Sequence, residues 1–146
     1  MIQGFLVLAD SATTDQTTGK VHMLGAGWSL TGPVVPPSAV AGFLRVPWDE
    51  VEGQVQFRLL LVDENREGVK VLHDDGENRA IGSEGVISLL NARPTDEIAK
   101  GMPLNLSFAV SVPPLPLPGG HTYEWILEIG DSEVASVSFG VRSVEA

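Results

Sequence analysis

The sequence predicts an all-β protein: an antiparallel β-sandwich, immunoglobulin-like or a similar Greek key, with eight or nine strands. Three observations carry this expectation. Apolar residues recur at every second position over long stretches, which places them on one face of a strand. Sixteen glycines and ten prolines fall mostly between those stretches, where the chain has to turn. Helical signals are scarce. Only Pro94-Thr95-Asp96-Glu97-Ile98-Ala99-Lys100-Gly101 combines an early Pro with acids and a glycine stop, so at most one short helical turn is expected near 95–100.

Each element follows from its residues. Residues 5–9, 21–24, 39–46 and 86–90 are apolar on both faces and read as candidate central strands. Their short lengths and flanking Pro and Gly favour strand over buried helix. Val55, Phe57, Leu59 and Leu61 alternate with Gln54, Gln56 and Arg58. The polar run Asp63-Glu64-Asn65-Arg66-Glu67-Gly68 then turns the chain, and residues 69–72 return as a second strand. Leu104, Leu106, Phe108, Val110 and Val112 alternate with Asn105, Ser107, Ala109 and Ser111. Tyr123, Trp125, Leu127 and Ile129 form the next alternating set, and Ala135, Val137, Phe139 and Val141 the last. Gly130-Asp131-Ser132-Glu133 joins these two into a C-terminal hairpin. No self-similarity at periods of roughly 20–50 residues points to a solenoid or propeller. One domain over residues 1–146 is expected, a length that buries roughly 70% of its unfolded surface.

Composition narrows the function classes. The chain has no cysteine, which excludes disulfides, thiolate–zinc sites, CxxC redox chemistry and a cysteine nucleophile. Nine Lys and Arg against nineteen Asp and Glu give a net charge of −10, which disfavours nucleic acid and anionic membranes as partners. Met1-Ile2-Gln3-Gly4-Phe5-Leu6-Val7-Leu8-Ala9-Asp10 lacks the basic flank and the length of a secretory leader and reads as a strand. No apolar run approaches the roughly 20 residues of a membrane span. A cytoplasmic protein is expected.

Several constellations have a chemical reading and a structural one. Val112-Pro113-Pro114-Leu115-Pro116-Leu117-Pro118-Gly119-Gly120 could be a PxxP ligand, but strands on both sides make it a stiff connector. The step Gly120-His121-Thr122-Tyr123-Glu124-Trp125 is similar to the tyrosine corner of immunoglobulin-like sandwiches, with Trp125 at the usual cysteine position. Asp63, Asn65, Glu67 and Asp74 fall at ligand positions of an EF-hand loop, with Gly68 at its turn. Lys70 and the strand flanks argue instead for a hairpin tip. His22, His73 and His121 lie on three separate segments with no HxH or HxxxH pair, so no zinc or catalytic site is expected from them. Neither G-x-S-x-G nor a complete dinucleotide loop is present: Gly25-Ala26-Gly27 lacks the third glycine and the following helix. Glycines there read as a bulge or a close backbone approach. Trp48, Asp49 and Glu50 follow Pro47 in a loop. Trp48 is therefore either an interface anchor, a stacking platform for a sugar ring, or a lid folded over one end of the sandwich.

Four segments together resemble an uncharacterised family of small actinobacterial proteins. They are Leu8-Ala9-Asp10-Ser11-Ala12; Gly19 to Trp28, with His22 and Gly25-Ala26-Gly27 inside it; Val46-Pro47-Trp48-Asp49-Glu50; and Leu117 to Trp125. The resemblance runs over most of the chain and implies a cytoplasmic bacterial protein with no assigned activity or site residues. The resulting expectation is a non-catalytic domain without cofactors that works by contact with another protein or a second copy of itself. Trp48, Asp49 and Glu50 are its candidate contact residues. A saccharide- or calcium-binding module is the alternative, and a histidine-dependent hydrolase the third reading.

Overall fold

The computed structural model describes residues 1–49, 53–72, 74–88 and 96–144. Its strands are β1 (Gln3–Ala9), β2 (Ser11–Thr14), β3 (Val21–Leu24), β4 (Leu30–Thr31), β5 (Ser38–Val46), β6 (Gln54–Asp63), β7 (Lys70–Leu72), β8 (Asn78–Ala80), β9 (Gly82–Ser88), β10 (Leu104–Val112), β11 (His121–Ile129) and β12 (Ser132–Val141). The one helix among the described residues, α1 (Glu97–Lys100), starts where Asp96 accepts a hydrogen bond from the Ala99 N–H and stops at Gly101. The all-β expectation holds, but there are twelve strands where eight or nine were expected. The additional ones, β2, β4 and β8, are two to four residues long and mostly polar or exposed. A period of two has no room to register over so few residues.

Two sheets face each other. One has the order β1-β5-β10 and the other β4-β12-β11-β6-β9. All their pairings are antiparallel except the short β4–β12 contact. With β1, β5 and β10 as strands A, B and E, and β12, β11, β6 and β9 as G, F, C and C′, this is the immunoglobulin-like order. The inward residues of both sheets make one core, including Leu8, Val40, Leu44, Leu59, Leu61, Trp125 and Leu127.

Of the four candidate central strands only β5 is central. β1 and β9 are edges, and β3 pairs with β2 in a separate hairpin. Residues 89–90 lie outside the described residues. The β2–β3 hairpin folds over the outer face of the β1-β5-β10 sheet, packing on β5 and β10. Residues 69–72 do not form the expected second strand along β6. The return along β6 stops after the Val62–Gly68 bridge and the Val69 N–H bond to the Leu61 carbonyl at 3.0 Å, and β7 pairs with β8 instead.

Two aromatic rings set the gap between the sheets. Phe108 lies across its cross-strand neighbour Gly42, and Phe57 across its neighbour Gly85. The rings stack on each other with centroids 5.3 Å apart and planes 23° apart. A Cβ at Gly85 would stand 2.9 Å from Cε1 and Cζ of Phe57, and one at Gly42 closer still to the Phe108 ring. Sandwich sheets sit about 10 Å apart, so two stacked rings leave no room for a side chain at either end.

The connector between β10 and β11 closes one end of the sandwich. Pro113 to Pro118 carry no regular structure, while Val112 and Leu117 are buried in the core. Tyr123 donates from its hydroxyl to the Pro118 carbonyl at 2.9 Å. This is the tyrosine-corner bond, five residues upstream. Burial holds the Tyr123 phenol above its ordinary value, helped by the charges of Glu64 and Asp63.

Candidate functional site

Strand alternation sorts the outer face of the β1-β5-β10 sheet into rows. Ala9, Ala39 and Ser111 form one cross-strand row, and Val7, Ala41 and Ala109 the next. Over these small side chains lies the β2–β3 hairpin, which leaves Ala9, Ala39 and Ala41 buried. Its base is held where Asp10 N–H donates to the Leu24 carbonyl at 3.0 Å and Gly27 N–H to the Leu8 carbonyl at 2.7 Å. Its tip is held where Ser107 Oγ donates to the Gly19 carbonyl at 3.1 Å. Asp15 shapes the tip by accepting from the N–H groups of Thr17 and Thr18, and those bonds lower its pKa below the usual carboxylate value.

Beyond the tip no other described element lies over the face. Phe5, Phe43 and Ser107 form the third row, and Gln3, Arg45 and Asn105 the fourth. Phe5 is 59% exposed and stacks on Phe43 with ring centroids 5.0 Å apart and planes 21° apart. These two rows line an open groove of about 400 Å³. Two amides and a guanidinium thus border an aromatic platform on a rigid sheet. Arg45, like Lys20, Lys70 and Arg142, makes no ion pair among the described residues, whereas Arg58, Arg66, Arg79 and Lys100 are paired. Among the described residues the groove's lining contains no carboxylate. Chemically it offers apolar contact, amide hydrogen bonds and one free cation. It offers no nucleophile beside a base.

The residues singled out in the sequence lie elsewhere. Trp48 is half-buried, and its Nε1–H donates to the Met102 carbonyl at 2.7 Å. The indole ties the segment after β5 to the segment before β10, which is the lid arrangement. Asp49 is exposed beside it, and Glu50 lies outside the described residues. Trp28 packs edge-on against Phe139, and its buried Nε1–H has no partner. Gly25 and Gly27 both have positive φ and form the close turn after β3 that approaches β1.

The acidic turn is occupied by its own backbone. Asp63 Oδ1 accepts from the N–H groups of Asn65 at 2.9 Å and Glu67 at 3.0 Å. The extended path from Gly68 to Leu72 carries Asp74 away from that loop by about 13 Å or more, so the EF-hand spacing does not close a ring. No group of three or more acidic or histidine side chains able to hold a metal occurs among the described residues. Arg66, at φ +60°, reaches Glu124 at 3.0 Å and Glu133 at 2.9 Å across the opposite sheet, and these bonds raise its pKa. The Arg58–Glu128 pair at 2.9 Å lies further along the same face, with Ile126 buried between. His121 Nδ1 lies 2.7 Å from Glu64 Oε1 at the start of β11. His22 is exposed on β3, opposite Thr13, and His73 lies outside the described residues. The histidines of β3 and β11 belong to different sheets.

Phe5 and Phe43 escaped the sequence reading because both sit in strands that are apolar on both faces. Parity carried the missing signal. Gln3 and Phe5 share one face of β1, and Phe43 and Arg45 share one face of β5. Each phenylalanine therefore belongs with a polar neighbour rather than with the core.

No curated protein matches the chain. Among solved structures it is similar to a glycosyl hydrolase family 2 member from Bacteroides cellulosilyticus DSM 14838, with 16% identity, a TM-score of 0.39 and 73% of this chain covered. A second structure of a family 2 member from Bacteroides cellulosilyticus, from microfluidic crystals, gives the same identity, TM-score and coverage. The chain spans 13% and 12% of those two proteins. A family model matches residues 4–142, nearly the whole of the sandwich, and the chain therefore belongs to DUF6941, a family of unknown function.

Proposed function

We propose that the protein is a non-catalytic β-sandwich contact module that binds a partner protein through the uncovered half of its β1-β5-β10 sheet. The supporting observation is the stacked pair of exposed Phe5 and half-buried Phe43, beside Arg45, which makes no ion pair among the described residues. Aromatic and arginine side chains are the commonest interface anchors, and they act best from rigid backbone. Half of this face is built to receive the protein's own hairpin. The other half presents larger side chains with no described element above them. Trp48 then serves as a lid rather than as an anchor, because its only polar atom is engaged by Met102. The expected compartment is the bacterial cytoplasm.

Selection of displayed peptides on the immobilised protein tests this reading. Sequences enriched on the wild type and lost on a folded Phe5→Ala/Phe43→Ala variant would support it. Binders that ignore the double substitution, or a selection with no binders, would overturn it.

A further inference from the structure

Resting on that reading of the face, we infer that the groove takes an acidic segment of the partner protein, with an apolar side chain seated on the rings. Three observations on the same few residues lead there. First, the Phe5–Phe43 platform offers an apolar side chain a flat surface on which to stack. Second, Arg45 is a guanidinium with no ion pair among the described residues, in a row with the amides of Gln3 and Asn105. Guanidinium and carboxylate pair through two parallel hydrogen bonds, while amides can take the backbone of an extended segment. Third, among the described residues the groove's lining carries no carboxylate, on a chain whose net charge is −10. Its charge is thus the reverse of the protein as a whole.

Long-range repulsion from that net charge does not outweigh the local pair. At physiological ionic strength it is screened beyond about 8 Å, while Arg45 meets a bound carboxylate in direct contact. A second copy of this chain is the poorer occupant. A two-fold contact through the same face offers Arg45 only a second copy of a lining without a described carboxylate, between bodies that already repel.

The test uses the full chain and three fluorescent decapeptides, each with a central phenylalanine. One carries four Asp and Glu residues, the second the matching Asn and Gln, and the third four Lys. The acidic peptide should bind about tenfold tighter than its amide counterpart, as expected for a charge-assisted bond. It should shift the backbone amide resonances of Phe43, Arg45 and Asn105. Arg45→Gln should erase the difference between the two peptides while leaving the melting temperature unchanged. Phe5→Ala should weaken both. Equal affinity for the two peptides, or an acidic preference that survives Arg45→Gln, would overturn the acidic partner. The contact face would still stand in that case, provided Phe5→Ala weakened both peptides. No binding by any peptide, or resonance shifts confined to the opposite sheet, would overturn both. Concentration-dependent shifts of Phe43 and Arg45 without peptide would replace the acidic segment with a second copy of the chain.

Discussion

Gly42→Ala should destabilise the protein through one ring. Gly42 sits mid-way along β5, the only strand of its sheet with neighbours on both sides. Its missing Cβ would fall inside the Phe108 ring. Phe108 cannot simply swing inward, because Phe57 is stacked on it and rests in turn on Gly85. Overpacking of this kind costs about 1–3 kcal/mol. Replacing glycine recovers about 0.4–1 kcal/mol by restricting the unfolded chain, so the net loss is about 1–2 kcal/mol. For a chain of this length that is a fall in Tm of roughly 3–8 °C. Thermal and urea unfolding followed by circular dichroism read both quantities. The mechanism is isolated by repeating the substitution in a Phe108→Leu background, where the methyl group has space and the penalty should fall below about 0.5 kcal/mol. An unchanged Tm for Gly42→Ala, or the same loss in both backgrounds, would refute the ring-on-glycine packing.

Other substitutions test other contacts. Trp48→Phe removes the bond to the Met102 carbonyl and should cost about 1 kcal/mol, a drop in Tm of roughly 3 °C, while leaving peptide binding intact. Weakened binding without a change in Tm would restore Trp48 as an anchor. Tyr123→Phe should cost about 1 kcal/mol by freeing the Pro118 carbonyl. Because the fold raises the Tyr123 pKa, it favours the neutral phenol. That stability is fully present below the ordinary tyrosine range, near pH 10, and is lost as pH rises through the folded value. Tyr123 is the chain's single tyrosine, so as pH rises above about 10 urea stability should fall more steeply for the wild type than for Tyr123→Phe. Parallel slopes would contradict this. Asp63→Ala should loosen the turn that its carboxylate closes, at a cost of about 1 kcal/mol. Millimolar calcium should not raise the Tm of the wild type, and a rise of several degrees would reinstate a metal loop.

The parts of the fold that were legible in the sequence are those where each strand buries one face. β10 and the second half of β12 alternate most cleanly, while β6 and β11 alternate except at Leu60, Val62 and Ile126 on their outer face. Tyr123 and its glycine-rich approach were legible for the same reason: a corner crossing between sheets needs that geometry locally. Strand order was not legible. Alanines at 9, 39 and 41 read as core, and they are buried, but by a hairpin laid over the outer face rather than by the second sheet. Local hydrophobicity records that a residue is covered and not what covers it. Trp48 shows the reverse limit, since the sequence left lid, anchor and platform all open. A loop tryptophan beside two acids reads as exposed, and only the folded chain brings Met102 within reach of its indole nitrogen. The Phe5–Phe43 platform depends on register across two strands that are far apart in sequence, which no local pattern encodes.

The most direct measurement is site-specific photo-cross-linking in cells that make the protein naturally. A photoreactive phenylalanine analogue would be placed at position 5 and, as a control, at Ser136 on the exposed face of the other sheet. Adducts with a partner protein from position 5 but not from position 136, abolished by Arg45→Gln, are the result expected of a contact module working through this face. Adducts from position 136 alone, or equally from both positions, would contradict it.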